Sequence, residues 1–131
     1  MKVSALSFWQ PYAWLIVTGH AEVDSRTWAP PEKRIGERIA IHASKRKLTR
    51  AEFEDFVESM KTLGITNYPQ SPDDFDYGCL LGTVIIKGVT KKSKSYWAAN
   101  GYYHWLLKAP KRIAPIPYKG QRGWFSVKLV N

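Results

Sequence analysis

The stretch that most narrows the choice of fold is Leu80–Val89, LLGTVIIKGV. An apolar run rich in Val and Ile and bounded by turn residues reads as a buried strand, and Gly78 and Gly82 mark its entry. Such a strand needs partners. Lys2–Phe8 supplies one, with Val3, Ala5 and Ser7 alternating against Ser4, Leu6 and Phe8 until Gln10 and Pro11 stop it. Ala21–Trp28 reads as a second strand, and Arg38–Ala43 (RIAIHA) as a third beyond a Pro-Pro loop. Tyr102–Leu107 and Lys111–Ile116 read as two short strands, and Gly123–Val130 closes the chain with Trp124, Ser126 and Lys128 alternating.

Two helices interrupt this series. Pro11 suits a first helical turn, and Tyr12, Trp14, Leu15, Ile16 and Val17 leave almost no polar face before Gly19, so a short buried helix is expected to plug one end of the sheet structure. Thr49 and Glu52 form a capping-box pair, after which Phe53, Phe56, Val57, Met60 and Leu63 recur at helical spacing up to Gly64. Tyr68–Tyr77, rich in Pro, Asp and Ser, is a loop, and Lys91–Lys94 begins a polar connection. Strands and helices do not alternate regularly, which argues against a doubly wound sheet. The expected class is α+β, a small mixed β-barrel of about five to six strands with two to three helices. Residues 1–131 read as a single domain, with no repeat and no internal boundary.

Charge points to the partner. The net charge is +9, yet no acidic residue occurs from Tyr77 to Asn131, where Lys87, Lys91, Lys92, Lys94, Lys108, Lys111, Arg112, Lys119, Arg122 and Lys128 all fall. A half-chain of one sign favours a polyanion, because each phosphate neutralised releases condensed counterions. Six Trp, seven Tyr and five Phe offer both core volume and faces for base stacking. Cys79 is the single cysteine, so no intrachain disulfide forms and the cytoplasm is the expected compartment. No segment has the length of a membrane span, and the polar Ser4, Ser7 and Gln10 break up the N-terminal apolar run that would otherwise mimic a signal peptide.

Four segments in register, LSFWQPYAWLIVTG, GHAEVDSRTW, IAIHASK and YKGQRGWFSV, resemble the ASCH domain of the PUA-like superfamily. The resemblance implies a β-barrel with a cleft beside the first helix, where nucleic acid or a modified nucleoside binds. The family signature GxKxxExR reads here Gly19, His20, Ala21, Glu22, Val23, Asp24, Ser25, Arg26, with Gly19 and Arg26 matching and Asp24 shortened from Glu. The signature lysine is Ala21. In the amidohydrolase branch, which acts on acetylated cytidine, that lysine works with a Thr and a later Glu. Asp24 occupies the Thr position here, and Lys91–Gly101 contains no Glu, so that triad does not transfer. A second branch resembles a single-strand ribonuclease that requires a divalent metal.

The expected function is binding of RNA or single-stranded nucleic acid, or of a small, modified nucleotide, in a basic cleft. The alternative is a hydrolase using the same cleft, a ribonuclease before an amidohydrolase. Asp24 and His42 are the candidate catalytic pair, since 2′-hydroxyl attack needs a base, an acid and a cation on the phosphate. His42, set among apolar neighbours, equally fits a hydrogen-bonded core histidine. Asp24 and Arg26, two apart, share a strand face, so Arg26 can pair with Asp24 and still present its fork to a ligand. Trp9 and Trp28 are candidate stacking rings or packing residues, and Gln10 either caps the helix or reads a base edge. Ser44 and Lys45 end the third strand at a basic rim, while Lys119 and Arg122 sit in a Gly-flanked turn that suits an anion. No metal-ligand spacing and no nucleotide-cofactor fingerprint occurs in the sequence, so no cofactor is expected beyond a divalent ion in the ribonuclease case.

Overall fold

The computed structural model describes residues 2–129. Its elements are β1 (Lys2–Phe8), α1 (Tyr12–Val17), β2 (Val23–Arg26), β3 (Arg38–Ala43), α2 (Arg50–Leu63), β4 (Cys79–Thr90), β5 (Tyr103–Pro117) and β6 (Phe125–Lys128), with short 3₁₀ turns at Glu32–Arg34 and Pro72–Asp74. The strands form one mixed sheet in the order β2-β5-β4-β3-β1-β6. Only β1 and β3 run parallel; the other neighbours are antiparallel. This is the expected α+β class, and the buried Leu80–Val89 run lies in β4, between β3 and β5. The expected end of the last strand at Val130 lies outside the described residues.

The sheet is strongly curled. Four neighbour steps separate β5 from β6, about 19 Å in a flat sheet at the usual strand spacing. Yet the rings of Trp105, on β5, and Trp124, just before β6, stack with centroids 6.1 Å apart. Trp28, just past β2, meets both, at 4.9 Å from Trp105 and 6.5 Å from Trp124. Among the described residues no ladder joins β2 to β6, so the two edges approach through aromatic side chains rather than backbone hydrogen bonds.

One expectation needs correction. Tyr102–Leu107 and Lys111–Ile116 are not two strands but parts of the single long β5. The Ala109-Pro110 pair invites a break because proline cannot donate to a ladder. The ladder instead absorbs it in a bulge: the register moves from Thr83↔Lys111 to Ile85↔Lys108, leaving one extra residue on β5. The Arg38 guanidinium donates to the Ala109 carbonyl at 2.9 Å and to the Thr83 hydroxyl at 3.0 Å, satisfying the backbone group that the bulge frees.

Helix α1 packs its buried Ala13, Leu15, Ile16 and Val17 against β1, β3, β4 and β5. Helix α2 starts at the expected capping box, with Thr49 accepting from the Glu52 N–H and the Glu52 carboxylate accepting from the Thr49 N–H. Its Phe53 and Phe56 join Trp14, Tyr68 and Phe75 in an edge-to-face aromatic cluster that fastens the helix to α1. The connection before β5 is pinned by buried His104, whose Nε2 donates to the Ala99 carbonyl at 2.7 Å while Nδ1 accepts from the Ser93 N–H at 3.1 Å. Among the described residues no helix is long and apolar enough to cross a membrane.

Candidate functional site

Strand β2 sits at the sheet edge and pairs only with β5, with Asp24 opposite Trp105 and Arg26 opposite Tyr103. Strand alternation sends Ser25 outward, where its hydroxyl donates to the Trp97 carbonyl and accepts from the Ala99 N–H. Asp24 and Arg26 therefore share the opposite face. Arg26 Nε donates to Asp24 Oδ2 at 2.6 Å. The guanidinium carbon lies 4.6 Å from the Phe8 ring centroid, 5.3 Å from Trp105 and 5.5 Å from Trp28. Arginine thus occupies an aromatic box in which cation–π attraction holds the fork in place. Among the described residues its two terminal nitrogens make no hydrogen bond. Burial raises the Asp24 carboxyl above its ordinary range, and the charge and hydrogen bond of Arg26 oppose that rise.

A cavity of about 320 Å³ opens beside this pair, lined by Ser7, Phe8, Trp9, Tyr12 and the Asp24–Arg26 segment, Ser25 included. A second cavity, of about 420 Å³, shares Ser7 with the first and is bounded by Ser44, Lys45, Lys119 and Arg122 around His42. Its shape follows from one buried chain of hydrogen bonds. His42 Nε2 donates to the Tyr118 carbonyl at 2.7 Å, which leaves Nδ1 to accept from the Ser7 hydroxyl at 2.9 Å. The loop that carries Lys119 and Arg122 is thereby tied to β1 and β3. Gly120 closes over this pair so tightly that a Cβ there would sit 2.6 Å from His42 Cε1 and 2.8 Å from Ser7 Oγ. Across the cavity the Lys45 stem lies over Gly78, its Cγ 3.0 Å from where a Cβ would stand.

The structure gathers Trp9, Asp24 and Arg26 at the first cavity and His42, Ser44, Lys45, Lys119 and Arg122 at the second. Trp28, 37% exposed, flanks Arg26, and its carbonyl accepts from Trp105 Nε1 at 2.9 Å. Gln10 bonds the start of α1. It is 2% exposed, its Nε2 donates to the Asp76 carbonyl and its Oε1 accepts from the Trp14 N–H, both at 2.9 Å, so the amide fastens α1 to the 67–76 loop. No hydrogen bond joins Asp24 to His42, and both ring nitrogens of His42 are engaged within the fold. Ala21, at the position of the family lysine, is buried. Burial also pushes the Cys79 thiol up to about 11, which keeps it protonated at neutral pH. Among the described residues no three His, Cys, Asp or Glu side chains converge to hold a metal ion.

Several residues around the site escape a reading of the sequence alone. Phe8 and Trp105 look like strand core, and their contact with Arg26 depends on the β1–β3 and β2–β5 registers. Arg46 gives no local signal, yet its guanidinium carbon lies 4.2 Å from the Trp9 ring centroid while Nη2 bonds Glu52 at 2.7 Å. Trp9, 56% exposed, thus carries the Arg46 guanidinium against its ring. Tyr12, also exposed, is legible only as a helix start.

Comparison with known proteins agrees with this architecture. No curated protein matches the sequence significantly. Among solved structures the chain is similar to ASCH from Zymomonas mobilis, with a TM-score of 0.57 and 14% identity over 95% of this chain and 87% of that one. A serine-to-alanine variant of that protein matches with a TM-score of 0.56 at 14% identity, covering 95% and 87% of the two chains. A tyrosine-to-phenylalanine variant matches at 0.55 and 15%, covering 95% and 89%. At such identities the likeness is one of fold. The family model described as the ASCH domain matches residues 6–123, and with that match the chain belongs to the ASCH domain family.

Proposed function

We propose that this ASCH domain binds single-stranded RNA, or a nucleotide unit of it, in the groove formed by the two cavities that meet at Ser7. The observation that carries the reading is Arg26, whose fork is held by Asp24 and three aromatic rings while its terminal nitrogens stay available in the cavity. A planar fork with open donors matches a base edge or a phosphate. Exposed Trp9 and Tyr12 offer stacking faces at the same rim, worth about 1–3 kcal/mol per base. Unpaired bases can reach such faces, whereas duplex bases are already stacked.

The test is a titration of labelled single-stranded RNA, duplex RNA and single-stranded DNA at low and moderate salt, with the RNA then run on a denaturing gel. Intact single-stranded RNA is expected to bind in preference to duplex and to bind less tightly as salt rises. Arg26→Ala is expected to weaken it roughly 10- to 100-fold, the worth of hydrogen bonds to a charged group. Salt-independent binding would contradict the proposal. RNA that is cut, with cutting lost in Asp24→Asn, would replace it with the hydrolase reading.

A further inference from the structure

The two cavities that share Ser7 have opposite characters. The Arg26 cavity is walled by Phe8, Trp9 and Tyr12 and holds one guanidinium already paired with a carboxylate. The neighbouring cavity carries Lys45, Lys119 and Arg122, and among the described residues none of the three has a carboxylate within ion-pair distance. Beyond the other rim the lining carries carboxylates. Trp9 and Tyr12 also line a third cavity, of about 120 Å³, together with Glu52 and Asp55. Burial first, and then Asp24, Glu52 and Asp55, hold the pKa of the Tyr12 hydroxyl up. Basic side chains without an acidic partner among the described residues thus lie on the Ser7 side of Arg26, whereas on the Tyr12 side Glu52 is paired with Arg46 and Asp55 adds a further carboxylate.

We infer that the groove takes a phosphorylated nucleotide rather than a free nucleoside, with the base against Arg26 and the aromatic rim and the phosphate among Lys45, Lys119 and Arg122. This inference rests on the nucleic-acid reading above and specifies its ligand. Each cavity alone is near the lower limit of a ligand pocket, about 300 Å³, so the two together accommodate a base and its phosphate as neighbouring parts of one molecule. The phosphate end is built before the ligand arrives. His42 and Ser7 anchor the loop through the Tyr118 carbonyl, Gly120 lets it approach the sheet, and Gly78 lets the Lys45 stem lie flat. Lys45, Lys119 and Arg122 line one cavity with no acidic partner among the described residues, and a phosphate supplies that partner through charge-assisted hydrogen bonds. The Asp55 carboxylate on the other flank disfavours the reverse orientation.

The experiment measures binding of cytidine, uridine, adenosine and guanosine, of their 5′- and 3′-monophosphates, and of inorganic phosphate, to the full chain and to two variants. Lys119→Ala/Arg122→Ala alters exposed side chains, and Lys45→Ala provides a second, independent change. At least one monophosphate is expected to bind roughly tenfold more tightly than its nucleoside, and the double variant to abolish that ratio while leaving nucleoside affinity unchanged. Lys45→Ala is expected to reduce the ratio, and Arg26→Ala to weaken nucleoside and nucleotide alike. The inference is overturned if nucleoside and monophosphate bind equally, if the variants leave the ratio intact, if inorganic phosphate binds as tightly as the nucleotide, or if only long RNA binds. In each of those outcomes single-stranded RNA binding still stands. Absence of all binding, single-stranded RNA included, removes the proposed function itself.

Discussion

Asp24 is caught between two opposing effects, and their balance sets its behaviour with pH. Burial disfavours its charge and Arg26 favours it, and burial wins, so the folded-state pKa lies above the ordinary 3.8. Between those values the native chain binds more protons than the unfolded one, and this group's contribution to stability therefore rises as pH falls through the window. Asp24→Asn resembles the protonated form at every pH. The variant is expected to be at least as stable as the parent at neutral pH and to lose that advantage as the solution is acidified to 3.8, checked by denaturant melts at both ends. A parent that is more stable than the variant at neutral pH, with the gap closing on acidification, would show that the ion pair outweighs desolvation. The pairing of Asp24 with Arg26 was legible from their two-residue spacing, because side chains two apart leave a strand on one side. Two of the three rings around Arg26 were not, since Phe8 and Trp105 lie 18 and 79 residues away in sequence.

At the scale of elements, signals that act within a turn or two were clear. Helix α2 begins at Thr49 and ends before Gly64, which takes the left-handed conformation. Thr49→Ala removes the hydroxyl that accepts from Glu52 N–H and is expected to cost about 1 kcal/mol in chemical denaturation. Glu52 joins the same end to Arg46 and has its carboxyl lowered to about 2, principally by that hydrogen bond. Its stabilising contribution is complete above the ordinary 4.5 and fades as pH falls toward 2. The long β5 shows where local signals mislead: a proline reads as a strand end, and only the facing β4 strand and Arg38 allow a bulge there. The 118–123 loop makes the same point, because its sequence resembles any basic turn while its position depends on His42. In Gly120→Ala the new methyl meets His42 and Ser7, so the loop has to shift. A lower melting temperature, corresponding to about 1–3 kcal/mol, is expected together with weaker binding of single-stranded RNA.

Across the whole molecule, Trp105 is the residue around which the sheet curls. It is 1% exposed, contacts Trp28 and Trp124 and forms part of the floor beneath Arg26. Trp105→Ala is expected to cost about 3–5 kcal/mol, read by thermal or denaturant unfolding, and to loosen the approach of the two sheet edges. Helix positions, most strand positions, the α+β class, the family and the basic character of the C-terminal half were readable from the chain, because each is encoded in neighbouring residues or in composition. The full aromatic box around Arg26, the burial of both Gln10 and His42 and the sharing of Ser7 by two cavities came only with the folded chain. They depend on strand register and on the closure of a curled sheet, which bring together side chains that no local pattern connects.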